Sequence, residues 1–219
     1  MISGRSEKTG MKRPVKTASS EPANKIMKKS TIDLPGAVKP GHWTQGLKQA
    51  LQNPKNIILE TEKCSVIHDK YPKAKKHFLV IAKGDVSSMK SLNRSHVPLI
   101  NEMIKIGRQL ESTESDTNPS IRFRMGFHAV PSMTLLHMHV ISTDFDSPSL
   151  KNKRHWNSFT TDFFRPANSI LSELSEKGCI TIDTLYYKQL LESSLKCHIC
   201  NADLRNIPRL KEHVRTHFS

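Results

Sequence analysis

The sequence predicts an α+β fold, a mainly antiparallel sheet with a long helix against it, fused to a C-terminal ββα metal-binding finger. Three observations predict it. In Ile121 to Phe127, the residues Ile121, Phe123, Met125 and Phe127 alternate with Arg122, Arg124 and Gly126, the pattern of a strand with one buried and one wet face. From Val97 to Leu110, Leu99, Met103, Ile106 and Leu110 mark one face of a helix. The spacing Cys197-x2-Cys200-x12-His213-x3-His217 sets two thiols on a knuckle and two imidazoles one helical turn apart.

Residues 1 to 39 hold nine Lys or Arg against three acids and no apolar periodicity, so they are expected to be disordered. Their basic clusters, MKRPVK around Lys12 and Arg13 and KIMKK around Lys28 and Lys29, are spaced like a two-part nuclear import signal. A solvated tail adding non-specific DNA affinity would read the same way. Order is expected from Gly41, where Trp43, Leu47 and Leu51 recur at intervals of four in a short helix that stops before Pro54. Trp43 either packs on the domain or, exposed beside a basic cleft, stacks on a base.

Short strands are expected at Ile57 to Leu59 and Cys64 to Ile67, and a lysine-rich turn around Pro72 leads into a strand from His77 to Ala82. After the long helix, STESDTNPS reads as a polar loop. HAVPSM then turns the chain back, so that a strand from Leu135 to Ile141 pairs antiparallel with the one at 121–127. TDFDSPSLKNKRHWNSFTTDFF reads as a long aperiodic loop, pinned by its aromatics and carrying Lys151, Lys153, Arg154 and His155 beside Trp156. Helices follow near Asn168 to Lys177 and Thr184 to Glu192, punctuated by Gly178.

The formal charge of +14 and a pI near 9.8 imply a polyanionic partner, nucleic acid first. Nothing in the chain reads as a bilayer-spanning apolar run or an amphipathic basic helix, and MISGRSEKTG lacks the apolar core of a secretory signal, so no membrane partner is expected. Hydrophobic residues make up 36%, low for a single packed globule of 219 residues. Of the four cysteines, Cys197 and Cys200 form a metal pair, while Cys64 and Cys179 are expected to be buried thiols of a reducing compartment.

On a strand from Leu135 to Ile141, His137 and His139 share a face with Leu135 and Ile141. Imidazoles among aliphatic side chains need hydrogen-bond partners. Such a pair suits phosphorus chemistry, one ring attacking while its neighbour holds a phosphate oxygen. A His-x-His pair can also ligate metal, and a lone strand histidine is often a satisfied core residue. The finger reads as structural zinc with no open ligand position; Leu204 and Leu210 supply its core, Pro208 starts its helix, and His198 is expected to be an exposed bystander. Arg205, Arg209, Lys211 and Arg215 surround the finger helix and are expected to meet DNA phosphates.

HDKYPKAKKHFLVIAKG, then GFHAVPSMTLLHMHVISTDFDSPSLKNKRHWNSF and a terminal finger, together resemble the aprataxin family, the DNA-repair branch of the histidine-triad nucleotide hydrolases, over roughly residues 41–219. The resemblance implies a basic tail (1–39), a histidine-triad catalytic domain (40–166), and a helical linker with a DNA-binding finger (167–219). It implies a nuclear DNA 5′-adenylate hydrolase with structural Zn2+, which removes AMP from the 5′-phosphate of DNA ends left by abortive ligation. It makes His137 the nucleophile, His139 a ligand of the phosphate oxygens and His128 the proton donor to the leaving group. Ser132 would bond the phosphate, Asp69 the ribose hydroxyls, and Lys73 and Lys151 anionic groups of the lesion. Trp43 would be the wedge on the terminal base pair, with Lys83, Asp146, Ser147, Lys151, Arg154, Arg209 and Lys211 as further DNA contacts.

Two departures stand out. The triad's usual first histidine is Leu135 here, so its orienting or proton-transfer role is expected to be lost or to pass to His128, with activity retained. The forkhead-associated domain of longer animal relatives is missing, so recruitment by phosphorylated scaffolds is not expected. The alternatives are a general nucleoside phosphoramidate or dinucleotide hydrolase, which would need neither finger nor charge, and a DNA-end-binding module whose catalysis has decayed.

Overall fold

The computed structural model describes residues 45–218; Trp43 and both basic clusters lie outside the described residues. Strands β1 (Ile57–Glu60), β2 (Cys64–His68), β3 (His77–Ala82), β4 (Phe123–His128), β5 (His137–Ser142) and β6 (Phe164–Pro166) build one sheet in the order β1-β2-β3-β5-β4-β6. Every pairing in it is antiparallel.

Register decides what each face carries, because residues paired across antiparallel strands point to the same side. One face presents Val66, Phe78, Val80, Met138, Val140 and Phe127 to α2 (Val97–Thr117) and α4 (Ala167–Lys177), forming the largest core with Ile100, Met103 and Ile170. Burying each such side chain stabilises the fold by about 1.5–3 kcal/mol. On the other face His77, Leu79 and Ile81 pair with Ile141, His139 and His137, and Gly126 of β4 pairs with His139. This face has two separate apolar covers. Leu47 of α1 (Gly46–Leu51) packs on Ile67, Leu79 and Ile81. Phe145, Trp156 and Phe159 join Ile141 and Phe164 to the finger residues Leu195, Cys197 and Leu210. The sheet histidines occupy the same face between these covers.

Four expectations change. α2 continues through the polar STESD segment to Thr117, because no helix breaker intervenes before Asn118-Pro119 and Glu114 pairs with Lys76 at 2.8 Å. β5 starts at His137, not at Leu135, whose φ of 74° takes the chain out of extended backbone. The segment after β5 is not all loop. Asn152 caps α3 (Lys153–Thr160) by accepting the His155 N–H at 2.9 Å, and Trp156 and Phe159 point inward. Cys179 is exposed, whereas Cys64 is buried as expected.

Beyond α4, Gly178 (φ 76°) closes the helix in the left-handed conformation, followed by α5 (Thr184–Leu190). The finger consists of β7 (Leu195–Lys196), β8 (Asp203–Leu204) and α6 (Ile207–Arg215). Among the described residues no helix is long and apolar enough to cross a membrane.

Gly126 lies between His139 of β5 and Pro166 of β6, paired with both. A Cβ there would lie 2.4 Å from the Arg165 carbonyl and 2.7 Å from the Phe164 ring. Gly126→Ala is therefore expected to cost about 2–3 kcal/mol, seen as a Tm lower by about 4–12 °C; an unchanged Tm would mean that β6 yields freely.

Candidate active site

His137, the first residue of β5, has its Nδ1 2.8 Å from the Leu135 carbonyl. A carbonyl only accepts, so Nδ1 carries the proton and Nε2 keeps a free lone pair. The left-handed turn at Leu135 aims this carbonyl, so the residue lacking an imidazole still orients the next one through its backbone. The turn is pinned: Leu136 N–H donates to Val86 O at 2.7 Å, and Ala82 N–H donates to Leu136 O at 2.8 Å. Leu135 packs against the cluster of Leu47, Ile67, Leu79 and Ile81.

His139 is held in the opposite tautomer. His77, across β3, accepts the Lys73 backbone N–H at its Nδ1 (3.2 Å), which leaves its Nε2–H to donate to His139 Nδ1 at 2.9 Å. The proton of His139 is then on Nε2, an atom that is buried and unpartnered. An N–H donor kept dry and unsatisfied is suited to a phosphoryl oxygen. Asp69 Oδ2 lies 3.6 Å from His77 Nδ1, beyond hydrogen-bond reach.

His128, closing β4, lies 4.3 Å from His139 between ring centroids and 4.6 Å from Phe159, with its Nε2 also buried and unpartnered. Phe159 touches three of these rings, His77, His128 and His139. Burial in this aromatic setting lowers the proton affinity of every imidazole. His77 is pushed down to about 4, His128 and His139 fall well below the ordinary histidine value, and His137 is lowered as well. All four are neutral near pH 7. The arrangement thus offers one lone pair at His137 and one donor at His139 on one dry surface.

The other expected residues divide by location. Asp69 and Lys73 lie on the turn that carries the Lys73–His77 bond; Asp69 Oδ1 accepts the Tyr71 N–H at 2.7 Å, and half-buried Lys73 donates from Nζ to the Tyr71 carbonyl. Burial lowers the Lys73 pKa. Ser132 is exposed on the turn between β4 and β5, Lys151 is exposed just before α3, and Arg209 is exposed on α6. Lys83 turns to Glu60 and the Thr61 carbonyl, both at 2.7 Å, and Arg154 pairs with Glu192 at 2.6 Å. Asp146 pairs with Arg215 at 2.8 Å, the Ser147 hydroxyl donates to the Pro72 carbonyl, and Lys211 donates to the Ser147 carbonyl.

In the finger, Cys200 Sγ lies 3.1 Å from His213 Nε2, Cys197 Sγ 3.5 Å from His217 Nε2, and the two Nε2 atoms 3.3 Å apart. Two thiols and two imidazoles converging this closely are the donor set of a structural zinc site. His198 is not an exposed bystander: it is half-buried, 5.0 Å from Phe145 and 5.4 Å from Trp156 between ring centroids, and burial pushes its pKa down to about 4. The finger therefore docks on the main domain through a histidine that the ligand spacing leaves unassigned. Sequence reasoning also missed His77 and Phe159. The one signal for His77 was a polar residue opening the otherwise apolar strand HFLVIA.

A sheet that fixes neutral imidazoles in opposite tautomers beside a lysine-bearing turn, and docks a zinc finger, defines a histidine-triad-type domain with a zinc-binding tail. Residues 44–155 match the family model described as scavenger mRNA decapping enzyme C-term binding, and residues 160–219 match the C2HE / C2H2 / C2HC zinc-binding finger. Aprataxin of Gallus gallus is 45% identical over 179 residues, 82% of this chain and 56% of that protein. Aprataxin of Danio rerio is 44% identical over 178 residues, 81% of this chain and 54% of that protein. The solved aprataxin ortholog Hnt3 in complex with DNA superposes with a TM-score of 0.62 at 25% identity, covering 78% of this chain and 90% of that one. The chain belongs to the aprataxin family of histidine-triad proteins. It spans about half the length of the aprataxins of Gallus gallus, Ciona intestinalis and Danio rerio.

Folded-state proton affinities below those of the free side chains make stability pH-dependent with a definite sign. Above the ordinary value of 6.5 the site histidines are neutral in both states and contribute no slope. Below it, the unfolded chain binds protons that the folded chain refuses, so stability falls as pH drops from 6.5 towards about 4, where His77 itself protonates. In urea titrations, His77→Gln is expected to flatten part of that fall; an identical slope in the variant would contradict the assignment.

Proposed function

We propose that the chain removes AMP from adenylated 5′-phosphate ends of DNA, through a covalent adenylate on His137. In the first step His137 Nε2 attacks the phosphorus of the adenylate. A P–N bond forms, the bond to the DNA 5′-phosphate oxygen breaks, and His128, neutral in the free site and charged by a solvent proton when the anionic end binds beside it, supplies that proton to the leaving oxygen. In the second step water attacks the same phosphorus and gives its proton back to His128, the P–N bond breaks, and AMP leaves with His137 neutral again. One difficult displacement becomes two easier ones. His139 Nε2–H and Ser132 would bond the phosphoryl oxygens, Asp69 the ribose hydroxyls, and Lys73 and Lys151 the anionic groups of the lesion.

The observation that carries this reading is the pair of contacts His137 Nδ1 to the Leu135 carbonyl and His77 Nε2 to His139 Nδ1, which assign a free lone pair to His137 and a free donor to His139. The DNA half rests on the +14 charge, the finger and kinship with an ortholog solved in complex with DNA. We divide the chain into a basic tail at 1–39, a catalytic domain at 40–166 and a linker with a DNA-gripping finger at 167–219. Zinc held by Cys197, Cys200, His213 and His217 would supply the folding energy of that finger. Trp43, Lys83, Asp146, Ser147, Arg154, Arg209 and Lys211 are the remaining DNA-side candidates. We place the protein in the nucleus on its two basic clusters and its family. A DNA-end binder with decayed catalysis has less support, since Leu135 orients His137 through its backbone.

His137→Ala is expected to cut AMP release from adenylated nicked DNA by at least about a thousandfold while DNA binding persists. Undiminished release from the variant would overturn the reading.

A further inference from the structure

We propose that the finger helix positions the phosphate-binding imidazole: Lys211 and Arg215 hold the turn at 144–147, and Ser147 passes that hold to the turn carrying Lys73, on which the tautomers of His77 and His139 depend. The proposal rests on the reaction assigned above and goes beyond a DNA-gripping role for the finger.

The connection is continuous. Arg215 bonds Asp146 at 2.8 Å, and Lys211, in the next turn of α6, donates to the Ser147 carbonyl. Asp144 braces the turn from within, accepting the Asp146 N–H at 2.8 Å and the Lys75 N–H at 3.0 Å. Ser147 is only 4% exposed, and its hydroxyl donates to the Pro72 carbonyl while accepting the Ser149 N–H at 3.1 Å. The next residue, Lys73, gives its backbone N–H to His77 Nδ1, and this bond leaves the His77 proton on Nε2, facing His139. On the finger side, the Trp156 indole donates to the Lys196 carbonyl at 2.9 Å, and Asn157 donates to the Leu191 and Ser193 carbonyls at 3.2 and 2.8 Å. Finger and turn therefore share a rigid footing, not a flexible tether.

Two physical facts give the path its consequence. A buried hydroxyl removed from a carbonyl leaves that carbonyl unsatisfied, so the turn must shift to find another partner. A neutral imidazole relay has two tautomeric arrangements of similar energy, and the donor at one end selects between them. Loss of the Lys73 N–H would let His77 carry its proton on Nδ1 towards Asp69, and the donor of His139 would then no longer be fixed at Nε2. Ser147, Lys211 and Arg215 are thus positioning residues that act on His139 from a distance.

The test uses the full zinc-loaded chain and a DNA-free substrate, adenosine 5′-phosphoramidate, so that loss of DNA grip cannot enter. Ser147→Ala and Lys211→Met are expected to lower kcat about tenfold with KM changed less than about twofold, and Ser147→Thr to recover most of the loss. In parallel, the ring 15N shifts of His139 report its tautomer without any turnover. The wild type is expected to show the Nε2–H form, and the Ala and Met variants an exchanging mixture. His139 shifts identical in all variants, or a loss confined to KM, would overturn the proposal. Wild-type AMP release from adenylated nicked DNA is the separate control: its absence would put the assigned reaction at fault, while the tautomer comparison still decides the positioning role.

Discussion

Opposite tautomers on neighbouring imidazoles are the constraint on which this site depends. His137 must give its Nδ1 proton to a backbone carbonyl, and His139 must receive one at the same atom, although both rings lie on one face of one strand. A flat strand could not supply both partners. The chain meets the demand by leaving extended geometry at Leu135, which aims a carbonyl at the first ring, and by placing His77 across the sheet for the second. Burial does the remaining work, because it keeps every ring neutral near pH 7 and leaves the unpartnered Nε2–H of His139 unsatisfied by water.

The rest of the fold is arranged around that face. The opposite side of the sheet rests on α2 and α4 in the largest apolar core, so the strands carrying the imidazoles are held from behind. In front, the two covers differ in kind. The α1 cover is aliphatic and seats Leu135, whereas the α3 cover is aromatic and continues into the finger. A zinc-dependent module thereby shares a core with the domain that bears the histidines, and His198 is the wedge between them. Through this shared core the finger completes a surface as well as adding charge.

Much of this was legible in the sequence, for reasons that vary by residue. The finger was visible because zinc geometry fixes its ligand spacing, and β4 because Phe123 to Phe127 alternates cleanly. The pairing of β4 with β5, and the pair His137 and His139 on one face, followed from the same period. What escaped depends on contacts distant in sequence. Nothing local in HFLVIA reveals that His77 faces His139 across 62 residues. The helix at Lys153–Thr160 is two turns long, too short for a periodic signal, although Asn152 was an available cap. The polar residues of STESDTNPS imply a loop, whereas Lys76 holds Glu114 from another element and α2 runs on to Thr117. The alternation makes Leu135 one more strand residue, since a leucine in the left-handed region has no signature in the sequence.

The most direct test of the account is to stop the reaction in mid-turnover. Nicked DNA carrying a labelled 5′-adenylate, mixed with excess protein and quenched in alkali within milliseconds, should yield a protein-bound adenylate that peptide mass spectrometry maps to His137 and that decays as free AMP appears. AMP released at full rate with no adenylate on His137 at any time would contradict it.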